Sequence, residues 1–322
     1  MPGRAFFERF WFLIALVSLI PLSLLWPEGG TVVREAPGVL PTLVAATIFL
    51  SSFGLDLSHL GRQLTEGRAI GLALVATYAV APTVAWLLAG ALVPADPTEG
   101  RFFLEGVMIA AAQASTLASA QAMTIVAGGD AGLSLVLTIV SNVVTVVATP
   151  KLLEATLGVA VSFPTREMIE QMAWVVLGPV VAGQLARPLL WKAAQRIRFV
   201  LRFVPQLIIL VFVYTGIAAA GERLTASPDL VLRFLVVGAG IHGTLLAFTY
   251  AGSNLLGLGP RARVAVVLAG SQKTLPNGIY LWDRFFTGNP HGALALVVLH
   301  VLQLLVDALI LPWLRPRKRD RG

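Results

Sequence analysis

Residues 268–278 read Leu-Ala-Gly-Ser-Gln-Lys-Thr-Leu-Pro-Asn-Gly and lie inside a long apolar segment. Gly270, Pro276 and Gly278 bracket the polar residues of this stretch, and Pro276 removes one backbone hydrogen bond from a helix. We therefore predict a helix that is interrupted in its middle and then restarts. Thr274 is placed to cap the restarted half, whose amide-rich N-terminus would face an anion.

The composition around this stretch is that of a membrane protein. The chain has 322 residues, of which 57% are hydrophobic and 13% charged, whereas soluble domains average roughly 45–50% and about 25%. This excludes soluble enzymes, nucleic-acid-binding modules and secreted scaffolds. The absence of cysteine excludes disulfides, thiolate metal sites and cysteine nucleophiles. No HExxH or G-x-S-x-G motif is present, so we expect neither an enzyme nor a catalytic residue.

Ten apolar segments are about long enough to cross a bilayer, for which a helix needs about 20 residues. They comprise residues 10–26, 37–55, 69–93, 102–127, 131–153, 171–190, 203–220, 230–257, 262–286 and 292–314. With both termini in the cytoplasm, 16 of the 24 Lys and Arg residues lie on the cytoplasmic side, as the positive-inside rule expects. The net charge of +7 therefore requires no nucleic-acid partner. Five basic residues between positions 187 and 202 either mark this topology or bind anionic membrane lipid.

The ten segments divide into two halves of five, residues 1–157 and 158–322. Because each half has an odd number of spans, the halves must be inverted relative to each other, which is a common plan in secondary transporters. The predicted fold is thus an all-α polytopic membrane protein with about ten transmembrane helices in two inverted five-helix repeats. Segments four and nine are equivalent in the two halves, and interruptions at such paired positions indicate a binding site.

Lys273 is the most informative residue of segment nine, because it lies deep inside the span, 11 residues from the predicted start and 13 from the end. At about 1.5 Å per residue it is roughly 16 Å from either interface, beyond the reach of a lysine side chain. An unpaired ammonium at this depth costs at least ~2.5–3.5 kcal/mol. We therefore expect Lys273 to face a polar cavity, to pair with an acid such as Asp307 or Glu105, or to be neutral.

Segment four carries six polar side chains within twelve positions. These are Gln113, Ser115, Thr116, Ser119, Gln121 and Thr124. Either the helix is partly unwound and lines a cavity, or its small residues let a second helix pack closely against it.

Segment five carries hydroxyl groups at steps of three and four residues, which places them on one helical face. The residues are Ser134, Thr138, Ser141, Thr145 and Thr149, with Asn142 beside them. Either this stripe faces a cavity, where its oxygens offer ligands to an alkali cation, or the hydroxyls bond to carbonyls of their own helix.

Segment ten places His300, Gln303 and Asp307 on one face, because they are three and four residues apart. His300 either carries a proton, since the charge of histidine changes near neutral pH, or is a hydrogen-bonded core residue. Asp307 is a candidate partner for Lys273.

Four stretches of this sequence together resemble a known family. They are residues 47–57, read as Thr-Ile-Phe-Leu-Ser-Ser-Phe-Gly-Leu-Asp-Leu, Gly128-Gly129-Asp130, Ser271-Gln272-Lys273-Thr274-Leu275, and His300 with Gln303 as H-x-x-Q. In their order and spacing they resemble the bile acid:sodium symporter superfamily, and most closely its SBF-like branch of sodium-dependent transporters. Because that branch includes bacterial proteins, the resemblance implies a location in a bacterial inner (plasma) membrane.

The resemblance also implies an architecture. Segments three to five and eight to ten would form a core, and segments one, two, six and seven a panel. Helices four and nine would be discontinuous and would cross at their unwound middles, with alternating access by movement of the core against the panel.

Two sodium sites are implied by the same resemblance. Residues at or beside the positions of the first are Ser119, Gln121, Ser134 and Thr138. In the second, Gln272 matches a glutamine, but Leu268 occupies the position of an acid and Lys273 that of a neutral amide. These two differences make the site more positive by two charges, which opposes a bound sodium. We hypothesise that the ammonium of Lys273 stands in for this sodium and keeps helices four and nine crossed.

The sequence thus predicts a secondary transporter of a small organic anion, coupled to one sodium, to protons on Lys273 or His300, or to neither. The alternative is a membrane regulator or ion-homeostasis protein that keeps the fold without coupled transport. Apart from sodium, no cofactor is expected. The expected substrate-binding or coupling residues are Ser115, Thr116, Ser119, Gln121, Asn142, Gln272, Lys273, Thr274, Asn277, His300, Gln303 and Asp307.

Overall fold

The computed structural model describes residues 2–54, 61–158 and 163–316, and within these ranges the chain is helical with no β-strand. The α-helices are α1 Pro2–Leu25, α2 Pro27–Glu35, α3 Val39–Phe53, α4 Gly61–Leu64, α5 Gly67–Val75, α6 Ala81–Leu92, α7 Pro97–Ala111, α8 Ala118–Val126, α9 Ala131–Leu157, α10 Thr165–Met172, α11 Gly178–Ala194, α12 Arg198–Ala226, α13 Pro228–Leu255, α14 Pro260–Ser271, α15 Leu275–Phe285 and α16 Gly292–Leu314. Two π-turns, Ala76–Val80 and Ala173–Leu177, join α5 to α6 and α10 to α11. Residues 55–57 of the family-like stretch and the basic residues between 317 and 321 lie outside the described ranges.

Five helical runs are long and apolar enough to cross a membrane. They are Gly67–Leu92, Ala131–Leu157, Thr165–Lys192, Pro228–Leu255 and Gly292–Leu314. α1 and α2 together form a sixth candidate, in which the chain bends by 93°. The bend follows from Pro27, which disfavours helical backbone at the residue before it, so that a new helix begins with the proline. Each of the ten predicted segments contains α-helix, but only five or six stretches of the described chain meet the length and composition of a membrane span. The protein is an all-helical, multi-pass membrane protein in the part that the structure describes.

Two of the predicted segments are interrupted. α7 ends at Ala111 and α8 begins at Ala118, while α14 ends at Ser271 and α15 begins at Leu275. The predicted break in segment nine is confirmed, and Pro276 is the second residue of the restarted helix, where its missing N–H removes no helical hydrogen bond. The break in segment four is confirmed as well, although its interrupted residues include neither glycine nor proline.

The helices pack in two groups. In the first, α12 contacts α1, α2 and α3, and α3 contacts α11. In the second, α14 contacts α5, α8, α9 and α13, while α16 contacts α7 and α13. Contacts of α3 and α12 with α15, and of α12 with α16, join the groups beside the break between α14 and α15.

Two of the glycines that bracket the break in segment nine permit close helix packing. A Cβ atom at Gly278 would overlap the side chain of Leu296 in α16. A Cβ atom at Gly270 would lie 2.9 Å from Cγ2 of Thr249 and 3.6 Å from Cα of Ala73. Glycine at these positions therefore brings the segment between α14 and α15 against its neighbours in α5, α13 and α16.

Candidate functional site

The two helix breaks are hydrogen-bonded to each other. The N–H of Thr274 donates to the carbonyl of Ala114 over 2.8 Å. The hydroxyls of Thr116 and Ser119 both donate to Oε1 of Gln272, over 2.8 and 2.7 Å. Three of the predicted site residues thus meet at one buried amide oxygen, and the breaks in segments four and nine contact each other directly.

Side chains of α9 satisfy the unwound backbone of the first break. Ser141 Oγ accepts the N–H of Ser115 over 3.1 Å, and Asn142 Nδ2 donates to the Ser115 carbonyl over 3.0 Å. Thr149 donates to the carbonyl of Ala112 over 2.5 Å. A buried backbone group without a partner costs about 1–3 kcal/mol, so these contacts replace the partners that an unbroken helix would supply. Side chains of the polar stripe on segment five and Asn142 therefore form hydrogen bonds with the backbone of the first break.

Other residues of the stripe, and the predicted ligands of the first sodium site, have separate partners. Thr138 donates to a carbonyl of its own helix, as the back-bonding interpretation expected. Ser134 accepts from Thr124 of α8 over 3.2 Å. Ser119 contacts the second break, and Gln121 is half-buried on α8. The sodium site formed by these residues stays a prediction, and the described residues hold no group of three or more His, Asp or Glu suited to a metal ion.

α16 holds the backbone of the second break. Gln303 accepts the N–H of Lys273 over 2.8 Å and donates to its carbonyl over 2.7 Å. His300 Nδ1 lies 3.2 Å from the same carbonyl. One turn further, Asp307 Oδ2 accepts from Nε2 of Gln272 over 2.6 Å. The prediction that one face of segment ten carries these three polar residues is confirmed, and that face contacts the break.

Lys273 is only 3% exposed, and its Nζ donates to the main-chain carbonyl of Thr77 over 2.8 Å. The prediction that this side chain is held inside the protein is confirmed. Of the three arrangements expected for Lys273, pairing with Asp307 or Glu105 is not found, because both acids bind elsewhere. Asp307 Oδ1 lies 3.0 Å from Nε2 of His242, and Glu105 pairs over 2.8 Å with an arginine one turn earlier in α7.

His242 is the residue at this site that the sequence analysis missed. It is 1% exposed, pairs with Asp307, and approaches the carbonyl of Ser271 at 3.4 Å through Nδ1. A signal existed, because a histidine inside apolar segment eight needs a polar partner for the same reason as Lys273. Thr77 was also missed, but it contributes a backbone carbonyl that no side-chain pattern indicates.

Thr274 stands at the N-cap position of α15, but its side chain makes no capping hydrogen bond. The prediction that the Thr274 side chain caps α15 is therefore wrong. Its backbone N–H is the group that forms a hydrogen bond, to the carbonyl of Ala114 in the first break. Asn277, in the first turn of α15, donates through Nδ2 to Oε1 of Gln113 over 2.7 Å. Gln113 Nε2 in turn donates to a carbonyl of α7 over 2.8 Å. This chain fixes the orientation of the Asn277 amide and leaves its Oδ1 oxygen for another partner.

A cavity lies where the two breaks face α3 and α12. Its accessible volume is about 20 Å³, which is room for about one water molecule. Small-molecule sites typically measure ~300–1,000 Å³, so an organic substrate would fit only after the walls of the cavity move apart. It is lined by Val44, Thr47, Ile48, Thr116, Leu117, Ala118, Asn142, Ile209, Thr274, Pro276, Asn277 and His300. Within the described part of the chain, two buried atoms of this lining, Nε2 of His300 and Oδ1 of Asn277, have no hydrogen-bond partner. Because buried polar groups are normally bonded, these two atoms would take a water molecule or a ligand as their partner.

The electrostatics of this cavity favour an anion. α8 and α15 both begin at its wall, and a helix N-terminus carries roughly half a positive charge together with unpaired N–H groups. Gln303 Nε2, which can only donate, lies 2.9 Å from Nδ1 of His300. Nδ1 also lies 3.2 Å from the carbonyl of Lys273, which can only accept, so the two contacts require opposite tautomers. The shorter contact favours a ring proton on Nε2, which would make the unpartnered group of His300 an N–H donor.

Comparison with known proteins identifies the family. The model of the SBF-like CPA transporter family matches residues 10–316. "Sodium/bile acid cotransporter 7" of Rattus norvegicus is 25% identical over 317 residues, which cover 95% of this chain and 92% of the relative. "Probable sodium/metabolite cotransporter BASS4, chloroplastic" of Oryza sativa subsp. indica is 28% identical over 95% of this chain and 76% of its own length. An uncharacterized protein of Pseudomonas aeruginosa is 27% identical over 96% of this chain and 93% of its own. The chain belongs to the SBF-like CPA transporter family, within the bile acid:sodium symporter superfamily, and is a multi-pass membrane protein of a family of transporters rather than enzymes.

Proposed function

We propose that this protein is a secondary active transporter that moves a small organic anion by alternating access. The observation that carries the proposal is the cavity at the contact of the two helix breaks. The N-termini of α8 and α15 adjoin it, and the unpartnered Nε2 of His300 would donate to the anion in the tautomer that the contact with Gln303 favours. The unpartnered oxygen of Asn277 would accept from a hydroxyl or N–H group of the substrate or from a water molecule, not from its carboxylate. Apolar residues of α3 and α12, namely Val44, Ile48 and Ile209, supply a wall for the hydrocarbon part of a substrate.

The packing of the helices supports alternating access. The cavity lies between the group that contains α3 and α12 and the group that contains both breaks. Movement of one group against the other would expose the cavity first to one side of the membrane and then to the other. We propose that the ten helical segments form two inverted halves, 1–157 and 158–322, with the broken group as core and the other as panel. We further propose a bacterial inner membrane as the location, with both termini cytoplasmic.

Coupling is part of the same proposal. Relatives are named as sodium cotransporters, and this chain has Lys273 at the position next to Gln272. We propose that the ammonium of Lys273 replaces the second sodium ion. Transport is then driven by one sodium ion near Ser119, Gln121, Ser134 and Thr138, by a proton, or by the substrate gradient alone.

A second candidate function is a membrane regulator or ion-homeostasis protein that has kept the fold without coupled transport. It is favoured by the presence of Lys273 at the position that the family resemblance assigns to the second sodium site, since an ammonium there would turn an exchangeable coupling ion into a covalently attached one. The two candidates differ in whether any substrate crosses the membrane.

Uptake into proteoliposomes tests the proposal. Purified protein is reconstituted, and accumulation of radiolabelled carboxylates of increasing size is measured with a sodium gradient, a proton gradient or neither. We expect saturable uptake of at least one carboxylate above protein-free liposomes, with no second-order dependence on sodium. Absence of uptake for every carboxylate under all three conditions would contradict transport and favour the regulator.

A further inference from the structure

The third predicted span contains a backbone carbonyl that has lost its helical partner. In an α-helix the carbonyl of Thr77 would accept from the N–H of Ala81. In the π-turn, however, the N–H of Ala81 donates to the carbonyl of Ala76. The π-type partner of Thr77 would be residue 82, which is proline and has no N–H. Neither the α-helical nor the π-helical donor is therefore available to Thr77.

The ammonium of Lys273 takes the place of that donor, at 2.8 Å from the carbonyl oxygen. Thr77 is 1% exposed and Lys273 3%, so bulk water does not reach either group. The backbone of Lys273 is fixed at both its N–H and its carbonyl by Gln303. One turn earlier, Gly270 lets α14 approach α5 closely. Contacts that do not involve the charge of Lys273 therefore place its side chain beside the third span.

We propose that the Thr77 carbonyl, freed by the π-turn and by Pro82, is the receptor of a monovalent-cation site, and that the ammonium of Lys273 is its covalently attached occupant. A free primary ammonium ion of matching length would enter the same site if the lysine side chain were shortened. Pro82 acts as a positioning residue, since it withholds the N–H that would otherwise compete for the carbonyl. The inference deepens the proposed function by locating the fixed cation on the third span, and it rests on that function only for its role in transport.

A double-mutant cycle of Pro82→Ala with Lys273→Met tests the receptor. The readout is the thermal unfolding midpoint of detergent-purified protein, followed by intrinsic tryptophan fluorescence. Residue 82 regains an N–H in the alanine variant, so we expect Pro82→Ala to lower the midpoint when Lys273 is present, because two donors compete for one carbonyl. We expect the same substitution to raise the midpoint in the Lys273→Met background, because the carbonyl regains a partner. Pro188→Ala, at an exposed position inside α11, is the matched control and should have one sign in both backgrounds.

A ligand experiment tests the cation site itself. Lys273→Ala removes three carbons and the ammonium, which together correspond to n-propylammonium. We expect n-propylammonium chloride to raise the unfolding midpoint of this variant by on the order of 5 °C at saturation, and to leave the wild-type protein unchanged. The uncharged n-propanol should not reproduce the effect. The double variant Lys273→Ala with Pro82→Ala should lose most of it.

Three results would overturn the proposal. One is the same sign of the Pro82→Ala effect in both backgrounds of the cycle. Another is an equal response of Lys273→Ala to propanol and to propylammonium, which would indicate filling of an apolar space. The third is the absence of any response to propylammonium in the folded variant. If Lys273→Ala cannot be purified, the double-mutant cycle with Lys273→Met tests the proposal alone. If neither lysine variant folds, the proposal is overturned when Pro82→Ala unfolds at the same temperature as Pro188→Ala or at a higher one. None of these readouts requires transport, so a failure of uptake and a failure of this inference are separate outcomes.

Discussion

Gln272 links the two breaks to α16, and its replacement by leucine should destabilise the protein strongly. Its Oε1 accepts two hydroxyl hydrogen bonds, from Thr116 and Ser119. Its Nε2 donates to the carboxylate of Asp307 over 2.6 Å. Leucine has a similar volume but can make none of these contacts, so the substitution isolates the polar contribution.

The magnitude follows from the partners that remain. Without Gln272, one of the two hydroxyls can donate to the other, because their oxygens are in contact. The loss of these two hydrogen bonds therefore costs about 1–2 kcal/mol together, whereas a buried carboxylate that loses a donor costs about 1.5–3 kcal/mol. The expected loss is therefore about 2.5–5 kcal/mol. At roughly 2–4 °C per kcal/mol for proteins somewhat smaller than this one, the unfolding midpoint should fall by on the order of 10 °C.

Thermal unfolding in detergent, followed by the fluorescence of the seven tryptophans, measures this effect. Gln121→Leu is the matched control, because Gln121 is half-buried on α8 and makes no hydrogen bond within the described part of the chain. We expect that control to change the stability by about 0.5 kcal/mol or less. If Gln272→Leu and Gln121→Leu unfold at the same temperature, the contact between the breaks does not stabilise the protein in the way described.

The remaining predictions concern three other contacts of the site. Lys273→Met should abolish uptake in proteoliposomes if the ammonium replaces a cation. Wild-type uptake rates in that variant would contradict the hypothesis that Lys273 stands in for a sodium ion. Asn142→Leu should lower stability by about 1–3 kcal/mol, because the carbonyl of Ser115 loses its donor; denaturant unfolding checks this, and no change would show that the carbonyl finds another partner. His242→Leu should destabilise by about 1.5–3 kcal/mol, since it removes one of the two partners of the buried Asp307 side chain and leaves only Gln272. His242→Gln keeps a donor and should cost clearly less, so equal unfolding midpoints for the two variants would contradict the pairing.

The break in segment nine and the burial of Lys273 were predictable from the sequence because local chemistry determines both. Pro276 marks the restart of a helix, and the position of Lys273 along its segment exceeds the length of its side chain. The common face of His300, Gln303 and Asp307 was predictable too, because it depends only on the helical period. Each of these inferences uses residues that are near one another in the chain.

The partner of Lys273 was not predictable in the same way. It is a carbonyl of the third span, freed by a shift in backbone hydrogen bonding that does not alter the pattern of apolar residues. Pro82 was the local clue, but a proline inside an apolar segment does not indicate which carbonyl remains free. The break in segment four depends on Ser141, Asn142 and Thr149 of α9, so it is a tertiary feature. Glycine and proline, the usual signals of a break, are absent there.

The central claim is that an anion binds where the two breaks meet, and uptake by Asn277→Asp tests it most directly. The substitution places a carboxyl group of nearly the same shape at the start of α15, inside the cavity. Asn254→Asp, at an exposed position near the end of α13, adds the same charge away from the cavity. With the carboxylate that the wild-type protein transports, we expect Asn277→Asp to lose uptake by at least about tenfold, since a like charge disfavours the anion by roughly 1.4 kcal/mol or more. Asn254→Asp should retain uptake, and equal rates for the two folded variants would contradict an anion site at this position.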